Sequence, residues 1–237
     1  IESIDFSGCS ATIVGFGTMG KHYLNALRTL GVGRIHVCSH SPGPLEELAD
    51  VPGVTTADGG FQNLDVSPLP GELGIVATPT ADLVSAARHL TDLGFNNLLI
   101  EKPVSLWSNK IEELAGSLPQ SGSKAIGAYN RLTYPTVAEA RARAAREGGI
   151  SSCTYSFTEI IGSDWEQRYP AEELARWGVA NSLHPISMAH GLIGLPETWN
   201  GSYSGSLSWH RSASVFVGSG LSDDGIPFAY HADWNSK

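Results

Sequence analysis

Basic residues are scarce in this chain. Fifteen lysines and arginines stand against 24 aspartates and glutamates, a formal charge of −9. A diffuse negative field repels nucleic-acid phosphates and anionic membrane surfaces, so neither is expected as a partner. Local arginines or backbone N–H groups can still hold an anionic small molecule. Cysteine is nearly absent: Cys9, Cys38 and Cys153 are odd in number, far apart, and form no C-x-x-C pair. Three small buried hydrophobes in a reducing cytoplasm fit that usage best. No apolar run approaches the ~20 residues a membrane helix needs. No basic segment followed by a long apolar one opens the chain as a signal peptide would. The chain starts at Ile1 rather than methionine, and the true N-terminus is expected to be missing. Internal repeats and low-complexity tracts are absent. What is left, 237 residues with 41% hydrophobic and 16% charged, suffices for one large globular domain or two small ones.

The first half alternates short apolar runs with helical patterns. "SATIVGFG" (10–17), "GRIHVCSH" (33–40), "LGIVATP" (73–79), "NNLLIEKP" (96–103) and "KAIGAYN" (124–130) predict strands. Between them, 18–31, 44–50, 81–94 and 108–118 predict helices. Leu83, Val84, Ala87 and Leu90 share one helical face, and Gly94 stops that helix. Such alternation predicts a doubly wound parallel α/β sheet covered on both faces. The pattern then changes. A helix over 136–149 is followed by "SSCTYSFTEI" (151–160), then by 201–210 and 211–220, all alternating like antiparallel strands. A domain boundary is expected near residue 126, giving a dinucleotide-binding domain over 1–126 and an α+β domain with a mainly antiparallel sheet over 127–237.

Gly15-Phe16-Gly17-Thr18-Met19-Gly20 fits G-x-G-x-x-G, and it follows a strand and opens a helix, as the motif requires. The glycines permit a tight turn, close approach of backbone to a pyrophosphate, and close helix packing. The helix N-terminus adds N–H donors and partial positive charge. A glycine-rich turn with no ligand would show the same letters. An acidic residue about 20 positions on would bind the ribose 2′-hydroxyl of NAD. The second strand ends instead in Ser39-His40-Ser41, which can donate to a 2′-phosphate, so NADP is favoured over NAD. Asp50 or another carboxylate folding in from elsewhere would reverse that preference.

"VATPT" (76–80), "IEKPV" (100–104) and "AYNRLTYP" (128–135), in order behind the glycine loop, resemble the Gfo/Idh/MocA oxidoreductases, the glucose–fructose oxidoreductase and inositol dehydrogenase type of enzyme. The resemblance runs from about residue 10 to 192, and Glu101-Lys102-Pro103 is its most specific element. It implies a Rossmann domain followed by an α+β domain whose open sheet mediates homo-oligomers. It implies cofactor contacts from Thr78, Pro79, Glu101 and Lys102, substrate contact from Lys102, and a cis Lys102–Pro103 peptide. The family's D-x-x-x-H-P motif matches at His184-Pro185, within "WGVANSLHPISMAH" (177–190). Its aspartate position holds Ala180, a departure, and Asn181 is expected to take over the polar role by hydrogen bonding.

The residues make chemical sense by themselves. Parallel strands deliver ligand-facing groups at their carboxyl ends, and Lys102 follows an apolar strand. Desolvation and neighbouring positive charge lower a lysine pKa from ~10.4 towards ~7–8, which suits proton transfer near neutral pH. Lys102 and His184 are the catalytic candidates. A solvated strand-end charge and a buried helix-capping histidine are the plainer readings of the two. His190 lies six residues past His184, about 240° round a helix, so the pair does not form a helical metal site, and no other group has zinc spacing. Tyr129, Arg131, Trp165, Arg168, Asn181 and His184 are the substrate-binding candidates. Trp165, Tyr169 and Trp177, with Arg168 and Arg176, read as a lid over a sugar or as simple packing.

The expectation is a cytoplasmic NADP-preferring (or NAD-dependent) oxidoreductase acting on a hydroxyl or ketone of a sugar, cyclitol or nucleotide sugar, without a metal. The alternative is a non-catalytic dinucleotide-binding sensor or partner subunit of the same fold. The chain ends at Lys237 just after a strand-like segment. The second sheet is therefore expected to be short of its final strands, with an open edge that a partner subunit could cover.

Overall fold

A computed structural model describes residues 4–159, 162 and 164–235. It divides into two compact units, residues 1–128 and 129–237. In the first unit the elements run β1 (Ser10–Val14), α1 (Thr18–Thr29), β2 (Arg34–Cys38), β3 (Val54–Ala57), β4 (Leu73–Val76), α2 (Leu83–Asp92), β5 (Asn97–Ile100), α3 (Ser108–Ser121) and β6 (Lys124–Gly127). All six strands are parallel, in the order β3-β2-β1-β4-β5-β6. The direction of winding reverses between β1 and β4. The carboxyl ends of those two strands therefore splay apart and leave a crevice, the usual ligand position in such sheets.

Strands covered on both faces read as unbroken apolar runs because neither face meets water. Ala11, Ile13, Ile35, Val37 and Ile75 pack on one face with Leu24 and Leu27 of α1. Val14, Cys38, Val76, Leu98 and Ile100 pack on the other with Leu83, Ala86, Ala87 and Leu90 of α2. Gly74 lies beneath that second layer. A Cβ there would stand 2.8 Å from Leu98 Cδ2 and 3.0 Å from Leu90 Cδ1, so the close seat of α2 on β4 needs a glycine. Gly94, at φ +97°, ends α2 in the left-handed conformation, and Phe95 N–H closes back onto the Leu90 carbonyl.

Several expectations change in detail. Residues 43–48 form a 3-10 rather than an α-helix. The four-residue β3 was not foreseen. α3 continues through Pro119 to Ser121 instead of stopping at 118. Of the cysteines, Cys38 is buried, Cys153 is half-buried and Cys9 is exposed, which corrects the expectation that all three are core residues. Each parallel strand ends several residues before its apolar run does, because the remainder forms the turn at the crevice.

The second unit contains α4 (Pro135–Arg146), β7 (Cys153–Ser156), α5 (Trp165–Arg168), α6 (Ala171–Ala175), α7 (Trp177–Ala180), α8 (Leu183–Ile193), β8 (Pro196–Ser204), β9 (Val215–Ser222) and β10 (Pro227–Asp233). Its sheet runs β7-β10-β9-β8. β9 is antiparallel to both neighbours, whereas β7 is parallel to β10, not antiparallel as expected. Alternation reports that one face is buried; it carries no information about the partner's direction. The expected strands at 201–210 and 211–220 are β8 and β9, displaced to 196–204 and 215–222. Serine and glycine recur throughout this stretch and give no frame. The break falls after Gly205, whose φ of +73° turns the chain out of β8. Residue 160 at the end of one expected strand, and Ser163 at the start of the aromatic stretch, lie outside the described residues. No helix among the described residues is long and apolar enough to cross a membrane.

Candidate functional site

The crevice at the β1/β4 switch is a cavity of about 690 Å³ lined by Gly15–Met19, Ser39–Ser41, Gly60–Gln62, Ala77–Pro79 and Asp82. The three motif glycines are there for different reasons. Gly15 sits at φ +97°, and a Cβ on it would lie 2.4 Å from the Ala77 carbonyl oxygen. A Cβ on Gly20 would lie 2.1 Å from the Gly15 carbonyl oxygen. The fold itself therefore demands glycine at both. Gly17 is different. It is the N-cap of α1 with an extended backbone, φ −80° and ψ −159°, that any residue adopts. A Cβ there would meet nothing within 4 Å among the described residues. Glycine is also a good N-cap residue, and here it leaves bare backbone facing the cavity.

The electrostatics point the same way. The first turn of α1 carries no acidic side chain, so its N–H groups face the cavity unneutralised. In the same cavity lining, the Thr78 hydroxyl is buried with no hydrogen-bond partner among the described residues. A buried, unmade hydroxyl bond costs about 1–3 kcal/mol. A ligand with polar oxygens in this cavity would relieve it. The Gly17 cradle and the Thr78 orphan thus fit a dinucleotide pyrophosphate and its ribose.

At the far rim, Ser39 is buried and His40 and Ser41 are exposed. The one carboxylate among the lining residues is Asp82, which follows β4 rather than β2. Burial, then the charge of Asp58, push the Cys38 thiol up to about 11, so Cys38 is an inert wall residue. The rim segment Gly60–Gln62 escaped sequence reasoning. Its signal was the Asp58-Gly59-Gly60 turn, whose two glycines both take positive φ.

Glu101 and Lys102 follow β5 directly, and Glu101 N–H bonds to the Val76 carbonyl at the end of β4. The buried Glu101 carboxylate accepts the Tyr23 hydroxyl of α1. Burial first, then that carboxylate, push the Tyr23 hydroxyl well above its ordinary pKa. Glu101 is thus spent on bracing the glycine-loop helix. Lys102 is half-buried, its bond to Pro103 is cis, and Val104 N–H bonds back to the Glu101 carbonyl to close the turn. Val104 takes φ +67°, a conformation costly for a β-branched residue, so this turn is held by its surroundings.

In the second unit, His184 lies in the first turn of α8, half-buried, with Ser182 as the N-cap residue. Sequence reasoning missed what anchors this corner. The Glu159 carboxylate accepts from Trp177 Nε1, Asn181 Nδ2 and Ser182 Oγ, each at 2.7 Å. Asn181 therefore gives its amide to a glutamate on the sheet side. Its only sequence trace was a lone acidic residue ending an alternating run. Ala180 is buried. His190 is buried too: its Nδ1 meets the Gly194 carbonyl at 2.9 Å and must carry the proton, which leaves Nε2 to accept the Tyr155 hydroxyl at 3.1 Å.

Tyr129 lines an apolar cavity of about 280 Å³ with Tyr155, Ile186, Trp199 and Tyr230, and burial raises its hydroxyl pKa. Arg131 is half-buried in the 3-10 turn Asn130–Thr133. The Trp165 ring lies 4.6 Å from that of Trp177 and 5.7 Å from Tyr169, centroid to centroid. Such pairs contribute about 0.5–1.5 kcal/mol each beyond burial, so this indole is committed to packing unless a ligand replaces both contacts. The exposed Arg168 guanidinium lies 5.4 Å from the Tyr169 ring.

No protein-family model matches the sequence, and no curated protein matches it. Solved structures do match. An oxidoreductase from Agrobacterium radiobacter, in complex with NAD+, L-tartaric acid and magnesium, aligns over 97% of this chain and 67% of its own, with TM-score 0.76 at 14% identity. The WlbA dehydrogenase from Chromobacterium violaceum, in complex with NADH and UDP-GlcNAcA, covers 98% of this chain and 69% of its own, with TM-score 0.77 at 13% identity. A putative myo-inositol dehydrogenase from Sinorhizobium meliloti covers 96% and 70%, with TM-score 0.74 at 16% identity. The chain thus spans about two thirds of the length of these neighbours. Identities this low show a shared fold: a Rossmann-type parallel sheet followed by a second, mixed sheet.

Proposed function

We propose that this chain is a nicotinamide-dinucleotide-dependent oxidoreductase acting at a hydroxyl or ketone carbon of a sugar, cyclitol or nucleotide sugar. The observation that carries the reading is the glycine turn at the switch point, where the bare backbone of Gly17 shares a cavity with a buried Thr78 hydroxyl that has no hydrogen-bond partner among the described residues. The fold neighbours support it, since those quoted above are dehydrogenases or oxidoreductases, two of them with NAD+ or NADH bound. The bound nicotinamide would supply hydride acceptance or donation at its C4. The chain's own groups do the rest. Gly15–Gly20 and Thr78-Pro79 hold the dinucleotide. Glu101 braces the loop helix through Tyr23. When the substrate carbinol gives up its hydride, its hydroxyl proton passes to the neutral Lys102 amine and a carbonyl remains. In the reverse direction the ammonium returns that proton. In the second unit, His184, Tyr129 and Arg131 are the residues proposed to bind and orient the substrate. A homo-oligomer built on the second sheet belongs to the same reading.

NADP preference is part of the proposal and rests on Ser39, His40 and Ser41 at the end of β2. The test is binding of NADPH and NADH, followed by myo-inositol, glucose and UDP-sugars assayed at the reduced-nicotinamide absorbance. NADPH is expected to bind about tenfold or more tightly than NADH, a difference of about 1.4 kcal/mol or more. His40→Asp places a carboxylate against the 2′-phosphate and should reverse the order. Equal affinity of the parent for both cofactors would remove the NADP preference; binding of neither would remove the function. A second reading, a dinucleotide-binding sensor, is favoured by Ala180, which puts no carboxylate where the family motif has one. It predicts a cofactor that binds and exchanges but is never oxidised or reduced by any of these substrates.

A further inference from the structure

We infer that Glu159 is the positioning residue for His184: a carboxylate on the sheet that clamps the corner from which the histidine-bearing helix starts. The assignment rests on the reading of His184 given above. Glu159 lies just past β7 but is tied to the sheet: its N–H bonds to the Asp233 carbonyl at the end of β10, and Phe157 N–H bonds to the His231 carbonyl. Its side chain belongs to the helices. One oxygen takes the Trp177 indole N–H and the Asn181 amide, and the other takes the Ser182 hydroxyl. These three donors bracket the turn from α7 into α8, and His184 comes two residues after the last of them.

Two features mark this as more than ordinary packing. Ser182 is the N-cap residue of α8, the place where a serine hydroxyl normally bonds a free N–H of its own helix. Its backbone is αR and the N3 residue, Pro185, has no N–H, so among the described residues the hydroxyl makes no cap bond and goes to Glu159. Trp177 and Ser182 are also almost wholly buried, at 2% and 1% exposure, so their donors have no water to turn to if the carboxylate goes. A carboxylate with three short donors, close to a helix N-terminus, is held by charge-assisted bonds and by the helix dipole together. His184 therefore inherits its position from the sheet.

The variants follow from the donor set. Glu159→Met keeps the volume and removes every acceptor. Glu159→Gln keeps one carbonyl oxygen for Trp177 and Asn181, and its amide N–H can donate to the Ser182 oxygen once that hydroxyl rotates. It should restore the clamp without the charge. Ser182→Ala removes one donor and serves if Glu159→Met does not fold. In the full chain, Glu159→Met or Ser182→Ala should speed amide exchange at Ser187 and Met188, whose helical acceptors are the carbonyls of Leu183 and His184, by about tenfold or more. Amides of β9 and β10 should keep their rates, NADPH affinity should stay within twofold, and the Trp177 indole N–H resonance should move in Glu159→Met alone.

With NADP+ and myo-inositol or UDP-GlcNAcA as probes, turnover should fall at least tenfold in Glu159→Met and recover in Glu159→Gln. In a His184→Ala background Glu159→Met should cost nothing further, because a positioning residue acts through the group it positions. Unchanged exchange at Ser187 and Met188 overturns the proposal. So does faster exchange throughout the second unit, or an equal loss of turnover in the His184→Ala background. Full turnover by His184→Ala alone is a separate failure: it overturns the role of His184, and the exchange data then judge the clamp by themselves.

Discussion

Gly17→Asp leaves the chain folded, with its melting temperature unchanged or slightly raised, and lowers affinity for a nicotinamide dinucleotide by about a thousandfold. The two halves of this expectation come from one place in the structure. Gly17 is the N-cap of α1 with extended backbone, and a Cβ there would meet nothing within 4 Å among the described residues. Aspartate is among the best N-cap residues, and its charge suits a helix N-terminus whose first turn holds no acid. Stability therefore gains or stays level. The same carboxylate would stand in the open space where a pyrophosphate needs bare backbone. Exclusion and like-charge repulsion of several kcal/mol act together against the ligand. Neither neighbouring glycine gives this split. Gly20→Asp would drive a Cβ to 2.1 Å from the Gly15 carbonyl oxygen and unfold the loop along with the site. Thermal melts paired with reduced-nicotinamide fluorescence titrations check the prediction. Tight binding retained by a folded Gly17→Asp protein would mean that the cavity holds something other than a dinucleotide.

That contrast shows what the sequence made legible. The parallel sheet and the glycine loop could be read because parallel strands buried on both faces leave unbroken apolar runs, and because the loop glycines keep a fixed spacing between a strand and a helix. Thr78 was legible only through resemblance to a family; nothing in its own neighbourhood sets it apart until the fold buries its hydroxyl. Glu159 stood out only as a lone acidic residue in an alternating run. Its three partners lie 18 to 23 residues ahead in the chain, at the start of α7 and in the turn into α8, and no local pattern encodes such a meeting. Asn181 illustrates the same limit. Its proximity to His184 suggested a polar role at the site, and the structure directs its amide to Glu159. Trp165 and Trp177 looked equally suited to a lid or a core. Their 4.6 Å ring contact, with Trp177 buried, is a tertiary fact. Residues whose role depends on their own strand or helix were accessible; residues whose role depends on a distant partner were not.

Lys102→Ala is expected to bind the dinucleotide as the parent does and to lose turnover by about a thousandfold, within the range for removing a group that transfers a proton. The lysine follows β5, the strand next to β4, whose end walls the cavity at Ala77–Pro79. Glu101 N–H ties that turn to the end of β4, and the Val104 backbone at φ +67° shows that the turn is held in place rather than relaxed. Lys102→Arg separates charge from chemistry. Arginine keeps the positive charge but does not give up its proton near neutral pH, so it should restore little activity. If charge alone mattered, by holding an anionic substrate, arginine would restore most of the rate and the alanine variant would show a raised KM with kcat preserved. A fall in kcat with cofactor affinity intact in both variants would place a proton on Lys102 during the reaction. Turnover within threefold of the parent in Lys102→Ala would leave that residue as an ordinary strand-end charge, and the oxidoreductase reading would lose its proton carrier.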